Sequence, residues 1–163
     1  MAWSAAAAPG VARTRSVSCS DSVYQTPPNA PPGTIAALRL GPVVFNHLSA
    51  HSRKDVLPPT TKVPFYSVAS FMNVLTSARH GVTIRLIGGD PADRLSPGLV
   101  GPAQRARAIR FALCRDPETK KPLITQYGIS FLLRTPGCFT VEVQAVGTSH
   151  RYHATIPVRA GHC

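Results

Sequence analysis

The side chains able to ligate a metal, attack a carbonyl or carry a proton are four cysteines, six histidines and seven acids. His47 and His51 are four apart, a spacing that would place two ligands on one face of a helix, but the surrounding NHLSAHSRK reads as loop. His150 and His153 are three apart on a predicted strand, which sends them to opposite faces. No metal site is expected, and the histidines read as solvated or lightly packed. Acid–base catalysis needs two carboxyls held close with displaced pKa values, whereas Asp55, Asp90, Asp93, Asp116 and Glu118 fall in predicted loops. Beside Pro91 and Arg94, Asp90 and Asp93 read as turn residues, and Glu142 is expected to pair with an arginine across strands. There is no G-x-S-x-G elbow, and Gly88-Gly89 lacks the spacing and lysine of a phosphate loop. The chain therefore reads as a non-enzyme with no cofactor; a hydrolase with a loop-borne site is the second alternative.

The cysteines Cys19, Cys114, Cys138 and Cys163 contain no CxxC pair, which speaks against a zinc knuckle and for two disulfides. Four cysteines allow three connectivities, and spacing alone does not choose among them. The pairing expected is Cys114 with Cys138, closing a loop between neighbouring predicted strands, and Cys19 with Cys163, tying the N-terminal arm to the last residue. Persisting bridges imply an oxidising compartment, hence an extracellular or cell-envelope location. Met1–Ala12 reads as a remnant of a signal peptide, without a basic n-region. Cys19 lacks the apolar residue that a lipid-anchor site needs ahead of it. No stretch approaches the length of an apolar membrane span.

Eighteen Lys and Arg against seven acids give a net charge of +11, so a polyanion is the natural partner. The densest stretch is Arg94, Arg105, Arg107, Arg110 and Arg115, followed by Lys120 and Lys121 in a polar loop. These seven are the candidate anion-binding residues. Anionic cell-wall polymer or lipid headgroups fit them better than nucleic acid, because the aromatics fall at predicted core positions and not on a stacking face. Arginine is also the favoured cation of a high-GC coding bias, which removes part of this signal. A cytosolic nucleic-acid-binding domain with reduced thiols is the first alternative function.

The elements that must position these residues are strands. Sixteen prolines and 12 glycines interrupt helices, while 44% apolar residues suffice for one core. Residues 1–33, rich in Ala, Ser and Pro, read as an arm, and 34–163 as one domain. A first strand is expected over Thr34–Phe45 with a break at Gly41-Pro42, and a loop over His47–Thr61. Residues 62–77 suit either period, with strand favoured over helix. Alternation marks strands at Val82–Leu86, Ile109–Cys114, Tyr127–Leu133, Phe139–Ala145 and Tyr152–Val158. Residues 90–104 read as a Pro/Gly loop, and Gly147-Thr148 as a tight hairpin turn. About seven antiparallel strands with a C-terminal hairpin suit an immunoglobulin-like β-sandwich, so the fold class is all-β.

The run from Cys19-Ser20-Asp21-Ser22 through a basic strand pair to Cys114, then Gly137-Cys138-Phe139-Thr140-Val141-Glu142-Val143 and a last cysteine, resembles a group of small secreted β-sandwich proteins of high-GC actinobacteria. The resemblance covers roughly residues 17–163. It implies export, the sandwich and two cysteine pairs, and no activity. Together these readings describe a non-enzymatic interaction or structural module at the cell envelope.

Overall fold

Alternation sorts side chains between core and solvent along Gly137–Ala145 and Arg151–Val158, whereas Ile124–Leu133 is buried on nearly every residue. The computed structural model describes residues 14–28, 37–46, 48, 56–98, 105–158 and 163. In chain order the strands are β1 (Arg15–Val17), β2 (Tyr24–Thr26), β3 (Leu38–Leu40), β4 (Val43–Asn46), β5 (Val56–Leu57), β6 (Tyr66–Val74), β7 (Val82–Leu86), β8 (Arg94–Pro97), β9 (Ala108–Phe111), β10 (Ile124–Leu133), β11 (Gly137–Ala145) and β12 (Arg151–Val158). Two 3-10 turns, Cys19–Asp21 and Thr76–Ala78, are the only helical pieces among the described residues.

The strands form two sheets. The first has the order β1-β9-β7-β11-β12; the second is built on β2-β10-β6-β4-β3, with β5 also pairing β6 and β8 also pairing β10. β6 and β10 run antiparallel over nine residue pairs, and short strands flank this spine on both sides. Phe139, Val141 and Val143 of β11 face Phe131 and Tyr127 of β10 in one core cluster, which both sheets share. Across the sheets the Phe131 and Phe139 rings are 5.0 Å apart and the Phe111 and Tyr127 rings 5.2 Å, within the range of favourable tilted ring pairs. The all-β expectation therefore stands, and 62–77 is strand for most of its length, because Val68, Met72 and Val74 point inward with period two.

Several expectations are corrected. Twelve described strands replace about seven, because strands of two to four residues fill the margins of both sheets. Part of the stretch read as an arm lies in the sheets. β1 pairs in parallel with β9, so pairing is not wholly antiparallel, and β2 pairs with β10. Arg94–Pro97 is not loop: it pairs with Ile129–Leu132, since Leu95 is a core residue facing Phe131. Val56–Leu57 likewise leaves the predicted 47–61 loop to pair with β6, while His47, His51 and Asp55 lie outside the described residues. Gly41-Pro42 does break the first strand, as the turn between β3 and β4. The last hairpin turns one residue earlier than expected, on Val146-Gly147, where Thr148 N–H donates to the Ala145 carbonyl and Gly147 takes a φ of +83°.

The disulfide connectivity is also corrected. The bridges are Cys19–Cys114 and Cys138–Cys163, with Cα–Cα separations of 5.6 and 5.8 Å. Cys114 with Cys138 fails for a topological reason. In the first sheet Phe111 lies beside Val82, and Val141 lies beside Leu86, at the other end of β7. Cys114 runs past one end of the sheet and Cys138 stands at the start of β11 at the other, far beyond the reach of an S–S bond. Each end is instead closed on its own. The parallel pairing of Val17 with Phe111 carries Cys19 to Cys114.

Candidate anion-binding surface

The seven cations singled out above do not form one patch. Arg107 donates to the carbonyls of Asp90 and Leu86 at 2.8 and 3.0 Å, and Arg94 to those of Pro91 and Asp93 at 2.6 and 2.8 Å. Both hold the loop between β7 and β8. Arg115 donates to the carbonyls of Lys120 and Arg79, and Lys120 Nζ to that of Pro117. These four serve chain turns. Asp116 braces the same turn: the Thr119 backbone N–H, then the Thr119 side chain, hold its carboxyl below the ordinary range, helped by the Glu118 N–H against slight desolvation. Arg105 lies over the Phe65 ring, 5.2 Å from its centroid. Arg110 and Lys121 are exposed, and no side-chain bond engages them among the described residues.

Arg110 stands on the solvent face of the first sheet because Ile109 and Phe111 take the inward positions of β9. Its row across the sheet runs Ser16, Arg110, Thr83, Gln144, Arg151, and the adjacent row Ala108, Arg85, Glu142, His153. Three arginines therefore share this face with one acid. Glu142 is 6% exposed and bridges Arg85 at 3.2 Å and Arg151 at 3.6 Å, as the sequence led one to expect. Arg110 has no acidic partner among the described residues.

At the β1 edge of the same face an open groove of about 330 Å³ is lined by Ser16, Ser18, His80 and Arg110, with Val17 and Ala112 beneath. Asp21 adjoins it, but its carboxylate is occupied by the Ser18 N–H and hydroxyl at 3.0 and 2.9 Å. Arg79, which precedes His80 in the chain, is exposed but does not line the groove. Sequence reading missed His80. It follows the Thr76–Ala78 turn and reaches this edge only because β7 pairs with β9; no local pattern shows that adjacency.

Among the described residues no group of three His, Cys, Asp or Glu side chains could hold a metal ion, and no helix is long and apolar enough to cross a membrane. His150 packs edge-on against Tyr152 and lies apart from His153, which is on the opposite, solvent-facing side of β12 from Tyr152. Asp90 and Asp93 are turn residues: Asp90 Oδ1 accepts the Ala92 N–H, and Asp93 Oδ2 the Asp90 N–H. Comparison with known protein families, curated proteins and solved structures gives no match to this chain.

Proposed function

We propose that this chain is a non-enzymatic, extracytoplasmic interaction module of immunoglobulin-like connectivity, which binds phosphate-bearing polymer or lipid headgroups of the cell envelope electrostatically. The observation that carries this reading is Arg110, an exposed cation without an acidic partner among the described residues, set beside His80 and Ser16 at the β1 edge of the first sheet. A hydroxyl and a guanidinium side by side suit phosphate oxygens. Two facing, mainly antiparallel sheets closed by the β11–β12 hairpin support the immunoglobulin-like part. The chain crosses between the sheets at β1 to β2 and at every step from β6 to β11. Two bridges with no free cysteine favour an oxidising compartment.

The test is salt-dependent retention of the disulfide-intact chain on anionic wall polymer and on phosphatidylglycerol vesicles. Retention should be strong at low salt, fall steeply as the Debye length shrinks, and drop further in R110A. Retention equal at low and high salt would count against the proposal. The nucleic-acid reading has less support. Phe45, Phe111, Tyr127, Phe131 and Phe139 are all buried, and among the described residues the Arg110 face of the first sheet carries no Phe, Tyr or Trp ring on which bases could stack. A gel shift at low salt as strong as the polymer binding would favour it instead.

A further inference from the structure

On the outer face of the second sheet, away from Arg110, lies a cavity of about 140 Å³. Ser67 of β6 and Ser130 and Leu132 of β10 form its floor, Leu57 of β5 and Phe65 its wall, and Arg105 its rim. These floor residues point outward because Val68, Ile129 and Phe131 fill the inward positions of the same strands. None of the lining residues is acidic.

Two polar groups at this cavity lack partners. Arg105 Nε is buried without a hydrogen bond, and its guanidinium meets only the face of Phe65 among the described residues. Ser67 is 8% exposed and its hydroxyl makes no hydrogen bond among the described residues. A buried donor left without an acceptor is destabilising, and a guanidinium with a ring beneath it is oriented before any ligand arrives. Ser130 is occupied differently, donating to the Gly98 carbonyl at 3.1 Å.

From this arrangement we infer that the cavity binds a small organic carboxylate with a compact apolar body. The carboxylate would accept from Arg105 and Ser67, and the body would fill the space between Leu57, Phe65 and Leu132. Size sets the class of ligand: an apolar cavity of about 150 Å³ accommodates a benzene ring. Charge sets the rest. A neutral isostere leaves the guanidinium unpaired, and inorganic phosphate leaves the apolar wall unfilled. This inference is independent of the envelope reading, which rests on the opposite face.

The experiment is calorimetric titration of the disulfide-intact chain with benzoate, 3-methylbutanoate, benzamide and inorganic phosphate. At least one carboxylate should bind with a Kd on the order of 10 µM to 1 mM, at least about tenfold tighter than benzamide or phosphate. Arg105→Met should weaken that binding about tenfold or more, and Ser67→Leu should abolish it by filling the cavity. Arg110→Ala should leave it unchanged. Absence of binding by both carboxylates overturns the inference, as does benzamide binding equally well. If Arg105→Met and Ser67→Leu both bind as the parent does, the ligand sits elsewhere and the inference falls.

Discussion

The Glu142 carboxylate lies 3.2 Å from the Arg85 guanidinium on the solvent face of the first sheet, and that guanidinium also donates to Gln144 Oε1 at 2.9 Å. Arg151 reaches the other carboxylate oxygen at 3.6 Å but is itself 59% exposed. The two pairs should differ in weight. A largely exposed pair contributes little, whereas removing one partner of a buried pair strands the other charge. Arg151→Ala should cost less than about 0.5 kcal/mol, and Arg85→Ala about 1–2 kcal/mol, with Glu142→Ala similar. Urea unfolding of the single and double variants measures the coupling. A coupling larger for Arg151 than for Arg85 would contradict this ranking.

Gly81 presents a different kind of constraint. Its φ is +98°, and a Cβ there would strike the Phe111 carbonyl oxygen across the β7–β9 pairing. Its own carbonyl accepts the Val146 N–H, so the backbone cannot easily retreat. Gly81→Ala should cost about 2–4 kcal/mol. Gly147→Ala, with positive φ but nothing within 4 Å, should cost only about 1 kcal/mol. Thermal unfolding of the two variants side by side separates the clash from the dihedral cost.

Asp93 is 3% exposed. One oxygen accepts the Arg134 N–H at 2.8 Å and the other the Asp90 N–H at 2.9 Å. It joins the β7–β8 loop to the turn after β10, two segments far apart in sequence. Replacing it with alanine leaves two N–H groups unmade and should cost about 2–4 kcal/mol; asparagine keeps one acceptor and should cost about half that. Chemical denaturation gives the order, and equal losses for the two variants would show that the amide retains neither bond and would contradict this ranking.

Tyr127 gives the fold an alkaline limit. Its hydroxyl donates to the Ala112 carbonyl at 3.0 Å, and desolvation, aided by the Asp21 charge, pushes its pKa from 10.0 up to about 12. The neutral phenol is thus favoured in the folded state. The stability this represents is fully present below about pH 10 and is lost as pH rises through about 12, because the unfolded chain releases the proton first. Phenolate absorbance should show one of the four tyrosines titrating late, and Tyr127→Phe should flatten the loss of stability between those pH values. Early titration of all four tyrosines in the folded protein would refute the assignment.

The long strands were legible because they carry the signal that sequence can hold. Phe139, Val141 and Val143 alternate with Thr140, Glu142 and Gln144, and the structure turns the two sets to opposite faces. Short strands carry no such period. Leu95 is one apolar residue between Arg94 and Ser96, and only its place opposite Phe131 makes a strand of it. The basic stretch misled for a related reason: Arg94, Arg107 and Arg115 look free in sequence, but backbone carbonyls brought near by the fold occupy them. Arg110 is exposed because its inward neighbours, Ile109 and Phe111, fix the face it shows. The groove beside it needed His80, and that neighbour follows from strand pairing alone.

The bridges supply the last prediction. Cys19–Cys114 spans 95 residues and Cys138–Cys163 spans 25. If constraint of the unfolded chain dominates, removal of the first should cost about 4–5 kcal/mol and of the second about 3–4 kcal/mol. The first bridge also fixes β1 to β9, where the pairing covers three residues, so C19A/C114A should loosen that edge as well. Two measurements check this. Peptide mapping of exported, unreduced protein should recover Cys19 linked to Cys114 and Cys138 to Cys163. Amide exchange should then show β1 losing protection in C19A/C114A while β11 and β12 keep theirs, and the reverse preference in C138A/C163A. Recovery of a Cys114–Cys138 link would require β9 and β11 to place those residues at the same end of the sheet, and the strand order described above would be wrong.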